Sequence, residues 1–244
     1  MCRPMKSALA LALVLAACGG SSSPSGGGPD GSTGGNHDAP SAPAMVTFSG
    51  TVQSKGTSTS PLAGVSLGAY GEGSSTAVAT ATSDSQGNFT MMIPTGGTAL
   101  QGYVKATFNG YVDTYLYPPT AVAADTTGVT VFMVTPSTYD LLANTLCQGN
   151  QMTTNGGIAV EVLDASMAKV QGATVASMPA ATKYCYNQGG FPNKSATSTD
   201  TDGIAYMLNV TGTATVSASK SGLTFKSHQV NARAGALTLT IIQP

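Results

Sequence analysis

The chain has 244 residues, with 10 Lys and Arg against 11 Asp and Glu, a formal net charge of −1 and only 9 % charged residues. It carries no Lys/Arg run or basic patch to neutralise a phosphate backbone, which argues against nucleic acid as a partner. The chain has two histidines, His37 and His228, and neither sits beside a cysteine at a metal-ligand spacing.

Arg3 and Lys6 precede an unbroken apolar run from Ala8 to Ala17, the layout of a secretory signal. The run is shorter than the roughly 20 residues of a bilayer span, and no later segment is long and apolar enough for one. Met5 would serve as a start as well as Met1. The run ends Leu15-Ala16-Ala17-Cys18-Gly19, which resembles the bacterial lipobox. That resemblance implies cleavage before Cys18, acylation of its sulfur and of the new amino terminus, and retention on a membrane. Two or more acyl chains anchor a protein stably where one does so only marginally. Gly19, in place of the aspartate that retains enterobacterial lipoproteins at the inner membrane, points to the outer membrane. Loss of Arg3 and Lys6 with the leader leaves a net charge of about −3.

Residues 18–44 are almost entirely Gly, Ser, Pro, Asp and Asn. Such a segment buries too little apolar surface to offset its ordering entropy, so a flexible tether is expected, reaching on the order of 28 Å.

From Met45 short strands alternate with turns. Expected strands are Val46–Val52, Val65–Tyr70, Ala77–Thr82, Phe89–Ile93, Gly102–Phe108, Tyr111–Tyr117 and Val129–Val134, at the spacing of an antiparallel sandwich. A helix is expected over Ser137–Leu146, capped by Ser137, with Tyr139, Leu142 and Leu146 on one face. The second half repeats the grammar of the first. Gly157–Leu163 matches the first strand, Val170–Val175 matches Leu62–Leu67, and the turn Asp200–Gly203 matches Asp84–Gly87. Tyr206 then stands where Phe89 stands, and strands follow at Gly212–Lys220, Thr224–Val230 and Leu237–Ile242.

The order Gly50-Thr51-Val52, Pro61-Leu62-Ala63-Gly64-Val65, then Thr82-Ser83-Asp84-Ser85-Gln86-Gly87-Asn88-Phe89 resembles the carboxypeptidase regulatory-like domain. The resemblance covers Met45 to about Val134 well. It covers Gly157 to Pro244 more loosely, because an insert around Tyr184–Gly190 intervenes. It implies a prealbumin-like sandwich of about seven strands. It does not imply peptidase activity, which in those enzymes belongs to a separate zinc domain; no His-x-x-Glu occurs here.

The expected fold is therefore all-β: two tandem antiparallel sandwiches, Ig-like or prealbumin-like, joined by one short helix. The expected boundaries are a signal at 1–17, a tether at 18–44, a first sandwich at 45–135, a helical connector at 136–155 and a second sandwich at 156–244. Cys2 leaves with the signal and Cys18 carries lipid, so Cys147 and Cys185 remain as a disulfide pair in an oxidising compartment.

Gly64-Val65-Ser66-Leu67-Gly68 matches a hydrolase pattern, but Ser66 sits inside an expected strand with no helix behind it. Asp200 and Asp202 hint at calcium, yet the matching turn has only Asp84, so both turns read as chain reversals and no metal or cofactor is expected. Tyr111, Tyr115 and Tyr117 share parity and are expected on one sheet face, a possible ligand surface. His228 reads as a lone strand histidine. The expected function is a non-catalytic structural or adhesive module of the cell envelope. It would contact membrane through Cys18, and an envelope protein or polysaccharide through its folded part. The alternative is a carbohydrate-binding module using the tyrosine face.

Overall fold

The computed structural model describes residues 42–56 and 58–244. The signal, Cys18 and the tether as far as residue 41 lie outside the described residues. Among those described, no helix is long and apolar enough to cross a membrane.

Among the described residues the fold is all-β, with sixteen strands and one short helix. The first half holds β1 (Met45–Lys55), β2 (Thr59–Pro61), β3 (Ser66–Gly71), β4 (Ala77–Thr82), β5 (Asn88–Pro94), β6 (Gly102–Thr107), β7 (Thr114–Tyr117) and β8 (Thr126–Met133). Helix α1 (Pro136–Asp140) runs into a π-helical turn, Leu141–Leu146. The second half holds β9 (Gly156–Val162), β10 (Thr174–Met178), β11 (Lys183–Gln188), β12 (Phe191–Asn193), β13 (Ile204–Val210), β14 (Gly212–Ser219), β15 (His228–Ala232) and β16 (Leu237–Ile242).

Three sheets form. One pairs β1 antiparallel with β5 and β2 and parallel with β8. A second runs β10-β14-β15. The third has nine strands in the order β12-β11-β13-β9-β16-β7-β6-β3-β4 and crosses both halves of the chain. Its hinge is β16, which pairs parallel with β9 on one side and with β7 on the other.

Side-chain alternation makes the nine-stranded sheet the wall of two cores. Leu237, Leu239 and Ile241 of β16 face the core made with β1, β5 and β8, while Ile242 joins the core made with β10, β14 and β15. In β9, Ala159 belongs to the first core and Ile158, Val160 and Val162 to the second. Every residue of β9 and β16 is buried. Strands covered on both faces need no polar side, and the threonines of β16 are satisfied internally. Thr238 Oγ1 donates to Asn231 O at 3.1 Å and Thr240 Oγ1 to Tyr117 O at 2.9 Å.

The sequence repeat is a structural repeat. Gly87 and Gly203 both have positive φ, of 78° and 69°. Their carbonyls accept from Val52 N at 2.7 Å and from Val162 N at 2.9 Å. A Cβ on Gly87 would stand 2.5 Å from Val52 O, and one on Gly203 2.8 Å from Val162 O. Glycine meets both demands at once, the left-handed backbone and the close approach. The repeats differ at the insert: β4 pairs with β3, whereas β11 pairs with β13 on the shared sheet.

Two local expectations are corrected. The helix is capped by Thr135, not Ser137: Thr135 Oγ1 accepts from Thr138 N at 3.2 Å, and Pro136 takes the first turn, where its missing N–H costs nothing. The strand expected at Tyr111–Tyr117 starts only at Thr114, because Tyr111 N bonds Phe108 O in a turn.

Candidate functional site

Tyr115 and Tyr117 lie on one face of β7, as their parity requires, but Tyr111 does not join them. It precedes the strand, packs on Phe108 with ring centroids 5.7 Å apart, and donates from its hydroxyl to Ser54 Oγ at 2.9 Å. The face is completed by Tyr103 of β6 and Tyr70 of β3. Tyr70 and Tyr103 are direct register partners and stack with centroids 5.3 Å apart. Tyr103 stacks in turn on Tyr117 at 5.2 Å. Tyr70 lies over Gly68, where an added Cβ would come within 2.8 Å of its ring.

This aromatic ladder is not an open platform. Arg233, on the link from β15 to β16, covers it. Its guanidinium carbon is 4.2 Å from the centroid of Tyr103 and 4.1 Å from that of Tyr115, and Nη1 donates to Tyr117 Oη at 3.0 Å. A partly desolvated cation–π contact contributes about 1–2 kcal/mol. Tyr115 and Tyr117 are left only 8 % and 4 % exposed. Burial pushes the Tyr117 phenol up to about 12, although Arg233 pulls the other way. Asp113 pairs with Lys105 at 2.9 Å at the edge of the ladder.

Two clefts flank the covered ladder. One, of about 460 Å³, is lined by Tyr111, Tyr115, Asp113, Asp140 and Gln151 at the junction of the two halves and the helix. Its carboxylates are already engaged: Asp140 Oδ1 accepts from Asn144 Nδ2 at 2.8 Å, and Asp113 holds Lys105. The other cleft, of about 530 Å³, lies between the corner Tyr117-Pro118-Pro119 and strands β14 and β15, with Glu72, Gln101, His228 and Gln229 around it. His228 Nε2 lies 2.7 Å from Thr240 Oγ1, and burial holds its pKa below the usual value.

The aspartates of the repeated turns serve the backbone. Asp84 Oδ1 accepts from Asn88 N at 2.7 Å and Gln86 N at 2.9 Å, and Oδ2 from Asn88 Nδ2 at 3.1 Å. These bonds, the Asn88 side chain first, hold its carboxyl below the ordinary range. Asp200 is lowered by the Gly189 and then the Thr201 amide. Asp202 accepts from Asn187 Nδ2 at 2.6 Å and Ile204 N at 3.1 Å. Among the described residues no group of three or more His, Cys, Asp or Glu side chains is placed to hold a metal. Ser66 opens β3 and is laddered to Thr82 and Thr107, far from any strand-to-helix elbow.

The junction is closed by a disulfide between Cys147 and Cys185. Both sulfurs are buried with Ala143 and Leu208. Beside them a cavity of about 40 Å³ is lined by Lys55, Phe132, Tyr139 and Leu142. Lys55 of β1 sits over the Phe132 ring at 5.2 Å. Burial lowers its pKa, with Asp202 of the second half opposing. Glu161, buried in β9, pairs with Lys169 at 3.1 Å.

Sequence reasoning singled out Tyr115, Tyr117 and the cysteines, but not Arg233 or Tyr70. Neither carries a local signal, because their roles arise from pairing β3, β6 and β7 side by side.

No family model matches the sequence, and no curated protein matches it. Among solved structures, similar ones include the Bacillus anthracis TIE protein, at 14 % identity and a TM-score of 0.26 over 81 % of this chain and 34 % of that one. The chain thus spans about a third of that protein's length. The shaft pilin SpaA of Lactobacillus rhamnosus GG is similar at 14 % identity and a TM-score of 0.25, over 82 % of this chain and 97 % of that one. A streptococcal ancillary pilin follows at 12 % identity and 0.25, over 82 % and 62 %.

Proposed function

We propose that the chain is a non-catalytic structural or adhesive module of the bacterial cell envelope, held at the outer membrane by acylated Cys18. The observation that carries this reading is the double pairing of β16. It joins the two halves of the chain in one nine-stranded sheet, a form suited to a spacer or a display platform. The signal and lipobox-like start supply the address. Ser66 and His228 give no nucleophile–base pair: Ser66 opens β3, while His228 on β15 is engaged with Thr240 of β16.

Expression of Cys18→Ala tests the anchor. The variant should leave the membrane fraction, since no segment after the leader is long and apolar enough to span a bilayer. A variant that still pellets and resists carbonate extraction would remove the lipid from the account. Capture of one envelope protein or polysaccharide by the wild-type chain on cells tests the adhesive role. Cells lacking the chain that adhere and hold their envelope as well as wild type would contradict it.

A further inference from the structure

We propose that Asn109 is a site of spontaneous covalent modification, where the side-chain amide closes on the Gly110 nitrogen to a cyclic imide that water opens to aspartate or isoaspartate. The inference concerns the polypeptide itself and stands apart from the adhesive reading above.

Asparagine followed by glycine occurs twice in the chain, at Asn109-Gly110 and Asn155-Gly156. In both, the glycine has no Cβ to shield its nitrogen from the neighbouring side-chain carbonyl carbon. The fold separates the two. Asn109 and Gly110 are the middle residues of the turn between β6 and β7, closed by Tyr111 N on Phe108 O at 3.1 Å, and both are exposed. One closing bond of this kind leaves the middle amides free. Among the described residues, neither the Asn109 side chain nor the Gly110 amide has a hydrogen-bond partner. A Cβ built on Gly110 would meet no atom within 4 Å, so nothing crowds the approach.

Asn155 is held instead. Its amide donates to Met152 O at 3.1 Å, and its carbonyl accepts from Gly235 N at 3.0 Å and from Gln151 Nε2 at 3.1 Å. Gly156 opens β9 and is buried, and a Cβ there would stand 2.7 Å from Arg233 O. Bringing the side-chain carbon onto the next nitrogen turns the peptide between them. At Asn155 these bonds must break first; at Asn109 there are none to break.

The step needs no reagent but water. The Gly110 nitrogen forms a bond to Asn109 Cγ, the Cγ–Nδ2 bond breaks, and the amide proton leaves with Nδ2 as ammonia. Water then adds to one of the two imide carbonyls. Opening at Cγ restores the backbone and leaves aspartate. Opening at the α-carbonyl carries the chain through Cβ and leaves isoaspartate. Either product puts a carboxylate where a neutral amide stood. The isoaspartyl form also lengthens the backbone between Phe108 and Tyr111, whose packed rings and bond to Ser54 tie this turn to β1.

The test holds the purified full chain, folded, in mildly alkaline buffer, digests samples at mildly acidic pH and reads the peptides by mass spectrometry. Asn109 should turn acidic, divided between aspartate and isoaspartate. Asn155 should change at least about tenfold more slowly, because it reacts only from a locally opened state. In denaturant the two rates should converge. Hydroxylamine, which cleaves such an imide, should cut the folded chain after Asn109 and spare the bond after Asn155. Asn109→Gln, at an exposed turn position, should fold as wild type and be neither acidified nor cut there. Three results would each overturn the assignment. They are an Asn109 amide that persists in the folded chain, equal rates at the two sites in the folded chain, or aspartate formed with no isoaspartate, the mark of direct hydrolysis without the imide.

Discussion

Thr199 makes in the second half the hydrogen bonds that Ser83 makes in the first. Ser83 Oγ accepts from Val65 N at 2.9 Å and donates to Leu62 O at 2.7 Å; Thr199 Oγ1 accepts from Ala173 N at 2.9 Å and donates to Val170 O at 2.6 Å. Both side chains are buried, and each hydroxyl ties two loop groups that water cannot easily reach. Ser83→Ala and Thr199→Val should each lower stability by about 1–3 kcal/mol, the cost of stranding buried polar groups. The sites share no partner, so the double variant should sum the two within about 0.5 kcal/mol. Denaturant melts that leave either single variant at wild-type stability would show that the hydroxyl clamp contributes nothing.

Leu239 is fully buried on β16 and faces the first core. Leu239→Ala should cost about 2–5 kcal/mol, transfer and cavity together. Because β16 is hydrogen-bonded to both β7 and β9, amide exchange should quicken in both strands. Loss of protection confined to β7 would mean that the shared sheet does not couple the halves.

The Cys147–Cys185 bridge closes a separation of 38 positions. In the chain-entropy treatment a loop of that size stabilises by roughly 4 kcal/mol, and measured values often fall below it. Reductant, or Cys147→Ala with Cys185→Ala, should therefore bring the denaturation midpoint down. A thiol reagent applied to the denatured, unreduced protein should label neither position; labelling of both would show that the protein lacks the bridge.

Alkali should reveal the buried phenols. Tyr117 is raised to about 12 by burial, and burial also pushes Tyr139 and Tyr206 above the ordinary tyrosine range. Unfolded tyrosines lose their protons near 10. Between that pH and the folded value the native state holds more protons than the unfolded one. This contribution to stability is complete below pH 10 and is lost as pH rises toward 12. After a jump into alkali, part of the phenolate absorbance should appear only at the rate of unfolding. Ionisation of all nine tyrosines within the mixing time would contradict the burial of these three.

Period-two runs such as Ala77–Thr82 and Val46–Val52 were legible in the sequence because each side chain's exposure is set by its own strand. The cysteine pairing was legible from count and compartment. The role of Leu237–Ile242 was not. Leu-Thr-Leu-Thr-Ile-Ile reads as an amphipathic strand with a polar face, yet Thr238 and Thr240 are buried by partners distant in the chain. Tyr111 was placed with Tyr115 by parity, and the turn at Phe108 broke the count before the strand began. Arg233 lies 116 positions from Tyr117, a distance over which no local pattern speaks.

The shared strand has a consequence for how such a protein can be rearranged. Repeats linked end to end behave as interchangeable beads, each removable or copied without injury to its neighbour. Here excision of residues 156–244 would leave β7 with a bare edge and uncover Tyr115 and Tyr117, a surface that invites misassociation. Excision of residues 45–135 would strip β16 of β7 and leave Leu237, Leu239 and Ile241 facing water. A further copy inserted between the two would have to sever the same pairing. The shared sheet is open only at its outer margins, beside β4 and β12, so the two halves have to be moved or copied together.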